Sequence, residues 1–352
     1  MTQEWNAYLA SQGKSSDGLD FGQLANELKQ AQAASIITPL QDLRLIRVSG
    51  ADATDFLHNL LTNDVEGLTP DSAMRYGFCT PKGPLLATFL IWRDTDDFLL
   101  ALAADLHESI FKKLSMYVLR SRVKLSDASE ELVLLGCTGP QATAALTAAS
   151  ILPAPLSSSS GPFPLTRIPD GPGGSCVIRL AEERFIVALP PAAALARWTA
   201  LTASDSTHRL HPAGLHAWHW LEITAGIPQI TAATQEEFIP QMANYEIVGG
   251  VSFKKGCYPG QEIVARTQYL GKIKRRMYRI HLETGTMATG SPIFSPETGD
   301  QPCGMIVMAA PAPDGGEDAL AVIQTSCAES NRLHLGARDG TLLTQLPLPY
   351  KT

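Results

Sequence analysis

A change of periodicity along the chain constrains its fold more than any other feature. Between residues 36 and 201 strand-like runs alternate with helical ones, whereas after Lys272 only short β-like runs remain, cut by Gly and Pro. In the first stretch Leu43, Leu45, Ile46 and Val48 read as a strand, and Ser49-Gly50 breaks it. Residues 51–61 then carry Phe56, Leu57, Leu60 and Leu61 on one helical face. Residues 74–92, hinged at Pro81-Lys82-Gly83, and 97–103 read as strands, and 105–119 as a helix. Strands recur at 131–137 and 184–189, and helices at 140–149 and 191–201. This pattern predicts an α+β body with antiparallel sheets. Runs at 277–282, 303–308, 319–323 and 332–335 predict a small β-barrel or sandwich, so a boundary is expected near residue 272. Residues 1–35 read as a helical lead-in with Phe21, Leu24 and Leu28 at helical spacing. Residues 152–174, which contain LPAPLSSSSGPFP and PDGPGG, read as a loop or linker without a regular element.

The 352 residues are enough for two or three domains at about 150 residues each. A net charge of −7 argues against a protein that coats nucleic acid electrostatically, because that role needs a surplus of Lys and Arg. No apolar run reaches the roughly 18 residues of a membrane span, and the polar start lacks a signal-peptide core, so a cytoplasmic protein is expected. The cysteines at 79, 137, 176, 257, 303 and 327 form no CxxC pair and no metal-finger spacing with a histidine, which predicts reduced, mostly buried thiols and no metal site. His211, His216 and His219 have irregular spacing among Trp218 and Trp220. They read as part of an amphipathic helix entering an apolar strand rather than as metal ligands.

One segment concentrates chemistry: Lys254-Lys255-Gly256-Cys257-Tyr258-Pro259-Gly260-Gln261-Glu262. Pro259 suits the first turn of a helix, and Gln261 to Gln268 continue it, which places Cys257 just before a helix N-terminus. Exposed N–H groups there, with two lysines, favour a thiolate, so a reactive Cys257 of lowered pKa is one reading. A small buried thiol in a tight glycine turn is the other. No histidine base is evident beside it, since the histidines cluster mainly at 208, 211, 216 and 219.

The string KKGCYPGQEIVART resembles the K-G-C-Y-x-G-Q-E signature of the YgfZ family, folate-binding, tRNA-modification-linked relatives of the glycine-cleavage T protein. Further blocks resemble that family in the same order: DFLHNLLTNDVEGL (55–68), LEITAGIPQI (221–230) as the strand leading into the site, EFIPQMAN (237–244) and the tail LPLPY (346–350). The resemblance implies a GcvT-like three-lobed fold, with ferredoxin-like α+β lobes around a central cavity in residues 36–271 and a C-terminal β-barrel in 272–352. It also implies a folate, such as tetrahydrofolate, near the cysteine motif. Lys255, Arg266 and Lys272 are then candidates for the glutamate tail, Trp218 for stacking on the pterin, and Tyr258, Gln261 and Asn63 for further contacts. Gln241 and Asn244 either bond the pterin or satisfy backbone groups, and Asn63 with Asp64 either line the cavity or form a turn. Gly256 and Gly260 supply the motif's backbone freedom.

This sequence departs from T proteins where their chemistry sits. Leu43 stands in place of a second tryptophan. Ala87-Thr88 replace an Asp-Asp pair whose carboxylate assists aminomethyl transfer, and Thr224 replaces a folate-holding glutamate, with Glu222 on the same expected strand face. Glycine cleavage is therefore not expected. The resemblance implies instead an accessory protein that supports iron–sulfur assembly or repair in client enzymes, with an indirect link to tRNA. The alternatives are a folate-dependent aminomethyltransferase and a non-catalytic folate-binding scaffold. The basic run KIKRRMYR (272–279) reads as a solvated strand face.

Overall fold

The fold comes from a computed structural model that describes residues 3–153, 162–168, 174–271 and 273–352. Two compact units divide it: Met1–Phe56, Glu66–Met74 and Leu90–Trp218 form one, and Leu57–Val65, Arg75–Phe89 and His219–Thr352 the other.

Strands of the first unit belong to an eleven-stranded sheet in the order His211–Pro212, Ile36–Pro39, Val133–Thr138, Arg184–Leu189, Cys176–Ala181, Phe163–Arg167, Ser72–Cys79, Leu85–Asp94, Asp97–Ala103, Leu43–Ser49 and Lys124–Asp127. Leu43–Ser49 pairs antiparallel with Asp97–Ala103, and Val133–Thr138 with Arg184–Leu189, as the alternation predicts. The contact of Ile36 and Ile37 with His211 and Pro212 is parallel. The lead-in supplies two helices, Gln3–Ser11 and Leu24–Ala33. Trp5 meets the edge of Trp198 at 5.7 Å and Phe21 stacks on Trp198 at 5.9 Å, so the lead-in adds aromatic surface to the core.

Two expectations for residues 36–271 are corrected by the structure. Residues 152–174 are not wholly irregular: Phe163–Arg167 is a strand that pairs with Cys176–Ala181. Phe163 and Leu165 alternate along it and bury their side chains, which outweighs the Pro and Ser around them. Within that stretch residues 154–161 and 169–173 lie outside the described residues, as does Lys272. The block 221–230 does not open as a strand either, because Leu215–Thr224 is a helix. Leu215, Ala217, Trp218, Trp220 and Ile223 are all buried, and a helix apolar nearly all round is a core helix. Thr224 caps its own turn by donating Oγ1 to the Trp220 carbonyl at 2.8 Å. Glu222, two positions away on a helix, points to a different side from Thr224 rather than sharing a strand face with it.

In the second unit a closed barrel runs Arg275–Leu282, Glu317–Gln324, Gly304–Pro311, Pro292–Phe294, Leu333–Leu335 and Leu342–Leu346. Ile280, Leu282, Ile293, Ile306, Ile323 and Leu343 fill it. Closure leaves the short strands no free edge, which is how a chain of such brief β-runs stays folded. The basic run is only partly a solvated face: Lys274 is exposed, but two of its arginines turn inward. Arg276 pairs with Glu246 and Arg279 with Asp318, and both arginine side chains are only 15% exposed. Buried carboxylates draw these two cations inward.

Candidate functional site

Around the cysteine motif, polar side chains are committed to backbone groups in a way that holds one loop still. Thr62 donates Oγ1 to the Gly250 carbonyl at 2.6 Å and accepts from the Gly77 N–H at 2.7 Å. Its own backbone bonds Gly77 and Ser252. Asn63, next in the chain, donates Nδ2 to the carbonyls of Arg75 at 3.0 Å and Gly249 at 2.8 Å, while its Oδ1 accepts from the Asp64 N–H. Of the two readings of Asn63-Asp64, the structure builds the turn. Of these acceptors the Gly250 carbonyl belongs to a buried residue, so losing the Thr62 bond would cost about 1–3 kcal/mol.

Downstream, Gly260 begins the helix Gln261–Tyr269 in a left-handed conformation, φ +85°. A Cβ there would lie 2.4 Å from the Thr80 carbonyl oxygen and 2.9 Å from Gly83 Cα, so the hairpin turn at 80–83 packs directly on this backbone. Gly83 itself has φ +104° and closes the turn with its N–H on Thr80. Glycine is required at 260 on both counts: the dihedral and the space. Gln261 reaches back to the Gly256 carbonyl at 3.3 Å. The loop is thereby tied at both ends.

Between these anchors Cys257 is exposed, whereas Cys79, Cys137, Cys176, Cys303 and Cys327 are buried free thiols. Burial pushes the thiols of Cys176 and Cys303 up to about 12 and those of Cys79 and Cys137 higher still, which leaves them inert near neutrality. The buried-hydrophobe reading of Cys257 is thus removed. Lys255 does not extend toward solvent: its Nζ donates to the His58 carbonyl and, at 2.7 Å, to that of Leu61, closing the end of the helix Ala53–Leu60. The same ammonium lies 5.1 Å from the ring centroid of Tyr258. That ring is buried, which pushes its hydroxyl pKa up and keeps it neutral. Lys254 and Arg266 are exposed.

A second feature is invisible in the chain order. His58 lies beside the motif, its Nε2 being 3.8 Å from the Cβ position of Gly256. Its Nδ1 is 3.3 Å from Asp64 Oδ1. The histidines at 208–219 are the conspicuous ones in the sequence, and only the 197-residue separation crossed by the Lys255 bond brings His58 to the motif.

On the barrel side of the same unit, Asn244 takes φ +53° and uses its amide as a strand partner, with Nδ2 donating to the Met277 carbonyl at 2.8 Å and Oδ1 accepting from the Met277 N–H at 3.4 Å. Gln241 donates Nε2 to the Val264 carbonyl at 2.7 Å, and its buried Oε1 has no partner. Arg276 donates to the Gln241 carbonyl at 2.9 Å and pairs with Glu246, whose carboxyl pKa is raised by burial against the lowering pull of Arg276. Of the two readings of these amides, backbone satisfaction accounts for Asn244 and half of Gln241. Tyr350 in the tail donates to the Gly226 carbonyl at 2.6 Å, fastening LPLPY to the segment after the helix Leu215–Thr224.

The remaining positions fall elsewhere. Trp218 is buried in the core of the first unit, 5% exposed, with the Arg184 guanidinium 4.6 Å over its ring and its edge against Gly136. Ala87 is fully buried, and Thr88 accepts the Ile230 N–H on Oγ1 at 3.1 Å, so this stretch offers backbone support and no carboxylate. His211 sits in a two-residue strand, and His216 and His219 on the helix Leu215–Thr224.

As a place for a folate, the described residues offer exposed cations at Lys254 and Arg266 and, among several buried acceptors without a partner, Gln241 Oε1. Cations suit a polyanionic tail, and an unpartnered acceptor suits a ring N–H. Comparison with known proteins agrees with the fold. The family profile of the GCVT N-terminal domain matches residues 2–255. The glycine cleavage system aminomethyltransferase T from Bartonella henselae superposes with a TM-score of 0.73 at 19% identity, covering 92% of this chain and 89% of that one. The heterotetrameric sarcosine oxidase from Corynebacterium sp. U-96 matches with a TM-score of 0.33 at 17% identity, over 50% of this chain and 87% of that one.

Proposed function

Given that the chain belongs to the GCVT N-terminal domain family, we propose that it is a folate-binding accessory protein of the YgfZ type rather than an aminomethyltransferase. The observation that carries the reading is Cys257: one exposed thiol among six, on a loop tied at both ends by backbone bonds, in a unit that has no carboxylate at 87–88. Acyl- or aminomethyl-type transfer needs a group to move a proton at the reacting nitrogen, and Ala87-Thr88 supply none. A held, accessible thiol suits a different role, exchange with a sulfur or metal centre on a client protein.

Folate, when bound, supplies ring nitrogens that carry one-carbon units. The chain's part is to bind and orient it. Lys254 and Arg266 meet the anionic tail, Gln241 Oε1 takes a ring N–H, and the neutral Tyr258 with Gln261 shapes the floor beside Cys257. The client is an iron–sulfur enzyme or a protein that assembles such clusters, and the effect on tRNA is indirect, through cluster-dependent modifying enzymes. The net charge of −7 fits a protein that meets proteins more readily than RNA. The chain acts in the cytoplasm. Deleting the gene and measuring cluster-dependent tRNA thiolation tests this: thiolation falls, and the wild-type gene restores it while one carrying Cys257→Ser does not. Normal thiolation in the deletion strain contradicts the reading.

A further inference from the structure

Nothing in the folate reading assigns His58, yet it stands where a cysteine would need a base. Its Nε2 faces the Gly256 position at 3.8 Å, one residue before Cys257, and Gly256 has no side chain to screen it. Asp64 Oδ1 lies 3.3 Å from the opposite ring nitrogen, a buried Nδ1 that makes no hydrogen bond and so is paired to the carboxylate by charge and proximity. The imidazole side chain is 12% exposed, so it is shielded from bulk water, while the thiol of Cys257, the residue after Gly256, is open to a reaction partner. The frame is fixed: Lys255 grips the His58 and Leu61 carbonyls, and Asn63 holds the turn that presents Asp64. Nucleophile, base and orienting carboxylate are the three parts of an activated-cysteine site.

We infer that His58, oriented by Asp64, is the proton acceptor that activates Cys257. The step balances simply. The thiol proton passes to His58 Nε2, the Cys257 sulfur attacks one sulfur of a disulfide, the S–S bond breaks, and the departing thiolate leaves with the electron pair. One mixed disulfide and one thiolate result, with no net oxidant consumed beyond the disulfide itself. The charged groups around the ring are Asp64, the Lys255 ammonium on the His58 carbonyl, and Glu66 two residues beyond Asp64 in the chain. This inference deepens the thiol role proposed above and rests on Cys257 being the reacting group.

Ellman's disulfide, a soluble aromatic reagent, reads the step in the intact folded protein, because the other five cysteines are buried. The rate constant is measured from pH 6 to 10 for the wild type and for His58→Gln, Asp64→Asn, Asp64→Glu and Cys257→Ser. At pH 6.5 an unassisted thiol is about 1% ionised, so His58→Gln is expected to slow the fast phase about tenfold there. At pH 10, where ionisation needs no base, it is expected to react within twofold of the wild type. Asp64→Asn falls between them, Asp64→Glu recovers most of the rate, and Cys257→Ser abolishes the fast phase. Coincident pH profiles for the wild type and His58→Gln overturn the inference. So does an equal slowing at pH 6.5 and pH 10, which would mark a purely structural role, or a fast phase that survives Cys257→Ser. Folate titration of the same proteins is read separately, so a protein that binds no folate but keeps the His58 effect refutes the folate reading alone.

Discussion

Two neighbouring parts of one unit use the same residue types in opposite ways. In the frame, Thr62, Asn63, Gln241 and Asn244 turn their polar atoms onto backbone carbonyls and N–H groups, and their side chains are buried. At the tip, Lys254, Gly256, Cys257 and Arg266 are exposed. The lesson is that polar residues in a motif-rich stretch divide into those that build the loop and those the loop presents. The division follows burial rather than position in the motif, since Lys255 belongs to the frame and Lys254 and Cys257, on either side, to the tip.

Substitutions can break that contrast, and the largest effect falls on the frame. Gly260→Ala demands a left-handed alanine and drives a methyl to 2.4 Å from the Thr80 oxygen, so the protein should lose at least about 2 kcal/mol, read as a lower denaturant midpoint. Asn244→Ala leaves the Met277 carbonyl without its partner and should cost about 2 kcal/mol by the same measurement. Asn63→Ala removes bonds to the half-buried Arg75 and the exposed Gly249, whose carbonyls water can reach, and should cost less, about 1 kcal/mol. At the tip the sign of the contrast reverses. Cys257→Ser should leave stability within about 0.5 kcal/mol while removing the only thiol that iodoacetamide reaches in the native state, as counted by mass spectrometry. Arg266→Ala should be equally quiet in stability and weaken folate binding, which calorimetry would show. A tip variant that unfolds the protein, or a frame variant that does not, would erase the distinction.

How far the chain revealed this depends on how local each cause is. The helix Gln261–Tyr269 was legible because Pro259-Gly260 and the residues after it form a start signal within one turn. The barrel was legible as short runs cut by Gly and Pro, although its strands Pro292–Phe294 and Leu342–Leu346 are too brief to announce themselves. The segment 221–230 was expected as a strand from the family resemblance, and its Ile and Thr favour strands locally, whereas burial of Trp218, Trp220 and Ile223 makes the helix. The arginines at 276 and 279 looked solvated because Glu246 and Asp318, which pull them inward, are 30 and 39 residues away. His58 was hidden for the same reason. A contact made across nearly two hundred residues leaves no spacing to read.

The central claim is that this fold holds folate beside a thiol that reacts with something else. Titrating tetrahydrofolate into the wild type and Cys257→Ser under reducing conditions tests it most directly. Saturable binding of equal affinity in both proteins is the predicted result; heat-free titration curves for the wild type, with no binding at millimolar ligand, would contradict it.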